Sequence, residues 1–297
     1  MRRRIRLRAF AKVNYAFEIR GLREDGYHEV ETVLQSISLS DEVEIECGPA
    51  PGGSLLVEPA SAETGPPEKN TACRAWRLLE EAAGRELPAR VRLGKEIPSG
   101  AGLGGASADA AAVLVGLDRL FGLGLGTGEL RRIGARVGAD VPFCISGGTA
   151  LGEGVGEVLH PLPAPPEHHL VVAKPAAGAG TGEVYRAYDA LSAPVGAGGG
   201  SVGGVSDALR SGDLKGMARA AGNVLAPVAR GMVPEVGQYE ELLLRAGALG
   251  AAMSGSGTAV YGIFRTSEEA REAEAGLGAH FSGVYRPVDR GVEVLGR

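Results

Sequence analysis

The stretch from Ile97 to Leu114, IPSGAGLGGASADAAAVL, sets four glycines directly ahead of a helical pattern. Gly100, Gly102, Gly104 and Gly105 permit left-handed backbone and put no Cβ in the way of an approaching group. Successive amides in such a loop can converge on an anion, and a helix starting behind it adds its positive end. Val113, Leu114, Leu117, Leu120 and Phe121 form the apolar stripe of that helix, with Ser107 as its expected N-cap. The loop lacks GxxxxGK[ST], and its glycines are out of register for a dinucleotide fingerprint. Glycine makes up 48 of the 297 residues, so a glycine cluster alone leaves two readings open: a phosphate cradle, or a tight turn between packed elements.

The flanking pattern sets the fold class. Residues 5–46 are strand-rich, and Ile5 and Leu7 alternate with Arg4, Arg6 and Arg8. A helix is expected from Asn70 or Thr71 through Trp76, Leu79 and Ala83, ended by Gly84. Residues 89–93 alternate as a strand, 129–137 suggest a short helix, and HLVVAK at 169–174 reads as a buried strand. Residues 193–204 read as an exposed glycine-rich loop. The pattern continues as a helix over 236–247, a strand, Gly-Ser-Gly turn and strand over 250–264, and a surface helix over 267–276. Helices and strands mix without a regular βα repeat, which favours α+β. Four prolines in 161–169 mark the expected boundary, giving units 1–163 and 164–297.

Charge and cysteine content narrow the function. A net charge of −5 provides no basic field for nucleic acid. No apolar run approaches a membrane span, and no apolar segment follows the basic start, so neither membrane insertion nor a signal peptide is expected. Cys47, Cys73 and Cys144 are far apart and lack a CxxC, so reduced thiols and a cytoplasmic location are expected. His160, His168 and His169 are too irregularly spaced for a metal site and read as a solvated loop.

Several polar residues stand in motifs. Lys12 lies in the apolar AKVN stretch, where an inward lysine requires a partner; an edge-strand lysine in solvent is the alternative. Asn14 shares its face, as a ligand contact or a backbone cap. Asp140 in GADVP is expected on extended backbone ahead of the proline, and alone it reads as turn chemistry. Tyr27 and His28 follow an Asp-Gly turn. Asn70 reads as a helix cap and Lys95 as a solvated strand-end lysine.

These stretches together resemble the GHMP kinases. The resemblance rests on residues 9–43, PSGAGLGGASADAA, RVGADVPFCISGGTALGEGVGE at 136–157, residues 174–189, and MSGSGTAVYGIF at 253–264. It implies a two-domain α+β fold, the N-terminal part like ribosomal protein S5 domain 2 and the C-terminal part ferredoxin-like. Within the superfamily the likeness is to the branch that uses ATP and Mg2+ to phosphorylate the 2-hydroxyl of a cytidine diphosphate derivative of methylerythritol. That branch implies Asp140 as base and Lys12 as its partner. It implies substrate contacts at Asn14, Tyr27, His28, Thr181 and Tyr185, the last stacking on the base. ATP would meet Pro98, Ser99, Gly100, Ala101, Gly102 and Leu103 in the first half of the loop. In the second half it would meet Gly104, Gly105, Ala106, Ser107 and Ala108, with Asn70 and Lys95 alongside. The metal ligands stay open, as does the choice between monomer and homodimer. Two departures stand out: Ala108, where many relatives have a second Ser, and GAGTG at 178–182. The Val224 and Ala226 segment receives no role. The rival readings are a kinase for another alcohol and a nucleotide-binding regulator without chemistry.

Overall fold

The computed structural model describes residues 3–48, 54–58, 70–191 and 200–296. Its first two strands, β1 (Arg4–Leu22) and β2 (His28–Cys47), form a long antiparallel hairpin running from Arg4 opposite Glu46 to Leu22 opposite His28. The chain continues through β3 (Ser54–Glu58), α1 (Thr71–Ala83), β4 (Ala89–Gly94), α2 (Gly105–Phe121), α3 (Thr127–Val137) and α4 (Val141–Ser146). Then come β5 (Thr149–Glu153), β6 (Val158–Pro161), β7 (His169–Lys174), α5 (Thr181–Asp189), α6 (Val202–Ser211) and α7 (Leu214–Ala220). The last third holds β8 (Gly222–Asn223), α8 (Ala226–Met232), α9 (Glu235–Arg245) and β9 (Gly250–Met253). It closes with β10 (Val260–Phe264), α10 (Ser267–Ala275), β11 (Phe281–Tyr285) and β12 (Val292–Gly296).

Two sheets organise these elements, and the architecture is α+β. Among the described residues the larger sheet has eight strands, along the path β12-β1-β2-β4-β3 with β5, β6 and β8 attached, and the smaller runs β11-β7-β10-β9. The proline-rich 161–169 stretch carries the chain from one to the other, while β8 and β12 bring it back onto β1. The arginines of β1 face solvent and Ile5 and Leu7 face the core, as the alternation predicts. α2 lies against β1 and β2, and its Val113, Leu114 and Leu117 are fully buried. No helix among the described residues is long and apolar enough to cross a membrane.

Three local expectations are corrected. The N-cap of α2 is Gly104, not Ser107. The helix begins three residues earlier than the polar cap suggested, because Gly104 can take the left-handed conformation (φ 72°) that turns the loop into it. Asp140 has helical backbone (φ −78°, ψ −15°), because Pro142 sits in the first turn of α4, where its missing N–H costs nothing. The 193–204 loop lies outside the described residues over 193–199. Its end is helical: Ser201 caps α6 by accepting from Gly204 N at 3.0 Å, and Val202 is buried. By contrast, Asn70 caps α1 by accepting from Ala72 N at 2.8 Å, and Gly84 ends that helix.

Candidate active site

The glycine loop is held from three sides. Lys12 N donates to Leu103 O at 2.9 Å, and Ala259 N donates to Ala101 O at 3.0 Å. The Ser254 hydroxyl donates to Gly102 O at 2.9 Å, and Thr71 Oγ1 donates to Ala106 O at 2.8 Å. Gly102 is there because nothing larger fits: a Cβ on it would stand 2.1 Å from Ser254 O. A cavity of about 320 Å3 opens over the loop, walled by Asn70, Thr71 and Lys95. Pro98, Ser99, Ala101, Leu103, Gly105 and Ala106 line it, while Gly100, Gly102 and Ser107 also line the adjoining cleft. Ala108 is fully buried beneath the loop, its N–H bonded to Gly104 O. The amides of Gly105, Ala106 and Ser107 open α2 and have no partner within the helix, so this end is suited to an anion.

The second cavity, about 830 Å3, holds Lys12 and Asp140. Lys12 is 3% exposed, which excludes the solvated edge-strand reading. Its Nζ donates to Asn14 Oδ1 at 2.8 Å and lies 3.5 Å from Asp140 Oδ2. Asp140 stands at the start of α4 but makes no capping hydrogen bond, so its carboxylate is not spent on the turn. Asn14 is buried below the cleft, donating to Thr32 Oγ1 at 2.7 Å, so its side chain fixes the lysine from beneath.

The far end of the cleft is aromatic. Tyr27 is 66% exposed. The His28 and Tyr185 rings lie 4.9 Å apart, tilted by 31°, so they touch each other and leave no slot for a third ring between them. His28 Nε2 also contacts Asp189 Oδ1 at 2.7 Å. Burial, and then the negative charge of Asp140, pushes the Tyr185 phenol up to about 12. Thr181 Oγ1 and Ser256 Oγ are 2.9 Å apart, tying α5 to the Gly-Ser-Gly turn.

Lys95 is placed differently from a solvated strand-end lysine. Its ammonium turns inward onto Asp41 and onto Asp109, the latter at 2.6 Å. Burial lowers its proton affinity, but the two carboxylates outweigh that and the net shift is upward. Asp109 is raised, chiefly by burial, and its Oδ1 has no partner among the described residues. Asp41 also accepts from the amides of Glu96 and Ile97, at 2.6 and 2.8 Å, so this cluster anchors the entry to the loop.

Asp41, Asp109, Ser254 and Asn223 were not singled out in the sequence. Asn223 Nδ2 donates to Met253 O at 3.0 Å and Gly255 O at 2.6 Å, holding the turn that lines the cleft. A sequence signal existed only for Asn223, an asparagine in the 223–229 segment whose other residues depart from the family.

The histidines at 160–169 do not form a solvated loop. His168 is buried, with Nε2 2.9 Å from the Tyr15 hydroxyl and Nδ1 2.7 Å from Pro166 O. Burial, more than any neighbour, pulls its pKa down to about 4. His160 is exposed and pairs with Glu153 at 2.7 Å. No group of three or more His, Cys, Asp or Glu among the described residues is arranged to hold a metal ion. A larger groove of about 1170 Å3 runs past Arg8, His169 and Arg290, but holds neither the loop nor Asp140.

Comparisons with known proteins give the family. Residues 70–148 match the GHMP kinases N terminal domain, and residues 205–283 match the GHMP kinases C terminal family. The chain is 43% identical to the 4-diphosphocytidyl-2-C-methyl-D-erythritol kinase of Pelotomaculum thermopropionicum, over 90% of this chain and 91% of that protein. It is 44% identical to the enzyme of that name from a Synechococcus species, over 93% and 90%. A crystal structure of 4-(cytidine 5'-diphospho)-2C-methyl-D-erythritol kinase superimposes with a TM-score of 0.78 at 34% identity, covering 95% of this chain and 98% of that one. A homoserine kinase from Cytophaga hutchinsonii shares the fold alone, with a TM-score of 0.81 at 21% identity over 99% and 98%. The chain belongs to the 4-diphosphocytidyl-2-C-methyl-D-erythritol kinase family of the GHMP kinases.

Proposed function

We propose that the protein transfers the γ-phosphoryl group of ATP to the 2-hydroxyl of 4-diphosphocytidyl-2-C-methyl-D-erythritol. The observation that carries this is the Lys12–Asp140 pair in a cleft that shares Gly100, Gly102 and Ser107 with the nucleotide cavity. Phosphoryl transfer needs a triphosphate cradle, an oriented hydroxyl and a destination for its proton. The loop amides supply the first. Asp140 accepts the proton of the attacking hydroxyl, and Lys12, fixed by Asn14, orients the carboxylate. Tyr27 and Tyr185 bracket the cytosine, while His28, held by Asp189, addresses its edge. Thr181 and Ser256 face the linker between base and alcohol.

Magnesium fits the donor set. A hard oxygen ligand is available at the Ser107 hydroxyl, where the two cavities meet, and magnesium commonly takes few protein ligands and keeps its waters. When bound it would neutralise charge on the transferring phosphoryl group. Cys47 and Cys144 are free thiols, which supports a cytoplasmic site of action. The partner is a small molecule, and the protein works as a monomer or a homodimer, without nucleic acid or membrane.

The test is ADP release by the purified protein with ATP and magnesium, offered 4-diphosphocytidyl-2-C-methyl-D-erythritol, mevalonate and homoserine in parallel. Turnover with the first alone is expected. Turnover with another alcohol would discard the cytidine pocket, and ATP binding without any turnover would discard the kinase reading.

A further inference from the structure

The cleft contains a charge problem that the residues discussed so far do not solve. A triphosphate brings several negative charges to the loop, yet both lysines near it are already committed. Lys12 is bound to Asp140, and Lys95 is enclosed by Asp41 and Asp109. Three arginines also line the cleft: Arg74, Arg136 and Arg186. Arg136 is held by Glu81 at 3.1 Å. Arg186 stands beside Tyr185 on α5, at the aromatic end. Arg74 has no acidic partner among the described residues, is exposed, and lines the cleft.

Position separates Arg74 from the rest. It lies one helical turn after Asn70 and Thr71, which wall the nucleotide cavity, and Thr71 Oγ1 fastens this end of α1 to the loop at Ala106 O. Arg74 itself lines the acceptor cleft, not the nucleotide cavity. The residues common to both cavities are Gly100, Gly102 and Ser107, so the junction lies at the loop and the first turn of α2. A triphosphate seated on the loop with its terminal group at that junction would present that group to the cleft that Arg74 lines.

We propose that Arg74 binds the γ-phosphoryl group of ATP and stabilises its charge during transfer. This rests on the kinase reading of the same cleft. In the step, the acceptor oxygen forms a bond to the γ-phosphorus and its proton goes to Asp140. The bond from the γ-phosphorus to the β–γ bridging oxygen breaks, and that oxygen keeps the electron pair as ADP leaves. Negative charge is spread over the three equatorial oxygens meanwhile, and a guanidinium fork can meet two of them at once. Arg74 would be a catalytic residue supplied by α1, outside the glycine loop.

The experiment compares wild type with Arg74→Ala and Arg74→Lys. The dissociation constants of ADP and of a non-hydrolysable ATP analogue are measured beside kcat. For Arg74→Ala the proposal expects kcat to fall about a hundredfold or more, in the range seen for loss of one charge-stabilising donor. It expects analogue affinity to fall about tenfold while ADP affinity stays within about twofold, since ADP has no γ-group. Arg74→Lys should recover part of kcat. Equal weakening of analogue and ADP, or a kcat within about threefold of wild type, would overturn the proposal. If the wild type phosphorylates no cytidylylated alcohol, the kinase assignment fails. The analogue-to-ADP ratio then still decides whether Arg74 holds the terminal phosphate.

Discussion

The Lys12 ammonium lies 3.5 Å from the Asp140 carboxylate, and the lysine side chain is 4% exposed where the aspartate is 36% exposed. The buried partner is therefore the cation, and the anion is the one open to the cleft. Asp140→Asn keeps the shape but removes the proton acceptor, so turnover should fall by about 10² to 10⁴, the usual span of general-base catalysis. ATP affinity should change little, because Asp140 does not line the nucleotide cavity. Steady-state kinetics with a binding titration checks both. Substantial remaining turnover would remove Asp140 from the base role and leave it an electrostatic anchor.

Tyr185→Ala removes a half-buried ring that faces the cleft beside His28. Base–aromatic stacking is worth about 1–3 kcal/mol, so KM for the cytidylyl substrate should rise roughly tenfold or more. KM for ATP should be unchanged. Tyr185→Phe, which keeps the ring, should behave nearly as wild type. Equal effects of Tyr185→Ala on both substrates would count against stacking.

The fold class and the position of the loop were legible because they depend on local rules. Arg4, Arg6 and Arg8 alternate with Ile5 and Leu7, Asn70 and Gly84 bracket α1, and glycines precede α2. The pairing of Lys12 with Asp140 was legible only by resemblance, since nothing local relates residues so distant in the chain. The inward turn of Lys95 was not legible at all: its partners Asp41 and Asp109 come from β2 and α2, and each reads singly as an ordinary acidic residue. The same holds for Ser254 and Asn223, whose side chains join backbone carbonyls of separate segments. His168 was misread because its neighbours are prolines and a glutamate, whereas its burial comes from β1 through Tyr15.

Gly102 and Gly100 make a controlled comparison. Both have positive φ, 73° and 59°, so alanine costs left-handed strain at either, about 1 kcal/mol. Only at Gly102 does the new Cβ also meet backbone, 2.1 Å from Ser254 O and 3.0 Å from Gly257 N, whereas at Gly100 nothing among the described residues lies within 4 Å. Gly102→Ala should therefore push the loop away from the Ser254 turn, lowering Tm and weakening ATP binding by more than tenfold. Gly100→Ala should cost only the strain. Similar losses in the two variants would mean that backbone conformation, not the contact with Ser254, limits the loop.

His168 makes the stability of the protein depend on pH. Its folded-state pKa is about 4, against an ordinary 6.5, because burial penalises the imidazolium. Above pH 6.5 the ring is neutral in both folded and unfolded chains and contributes no pH dependence. As pH falls from 6.5 towards 4, the unfolded chain takes up a proton that the folded chain refuses, so stability is lost across that window. The shift corresponds to about 3 kcal/mol once pH is below both values. Carboxylates titrate in the same region, so the contribution is isolated by difference. His168→Gln preserves a polar group near the Tyr15 hydroxyl and cannot titrate. Denaturant unfolding at several pH values should show the wild-type stability falling more steeply than that of the variant between pH 6.5 and 4. The two curves should run parallel above pH 7. Parallel curves throughout would mean that the imidazole is protonated inside the fold, with water or a local opening relieving the cost of its charge.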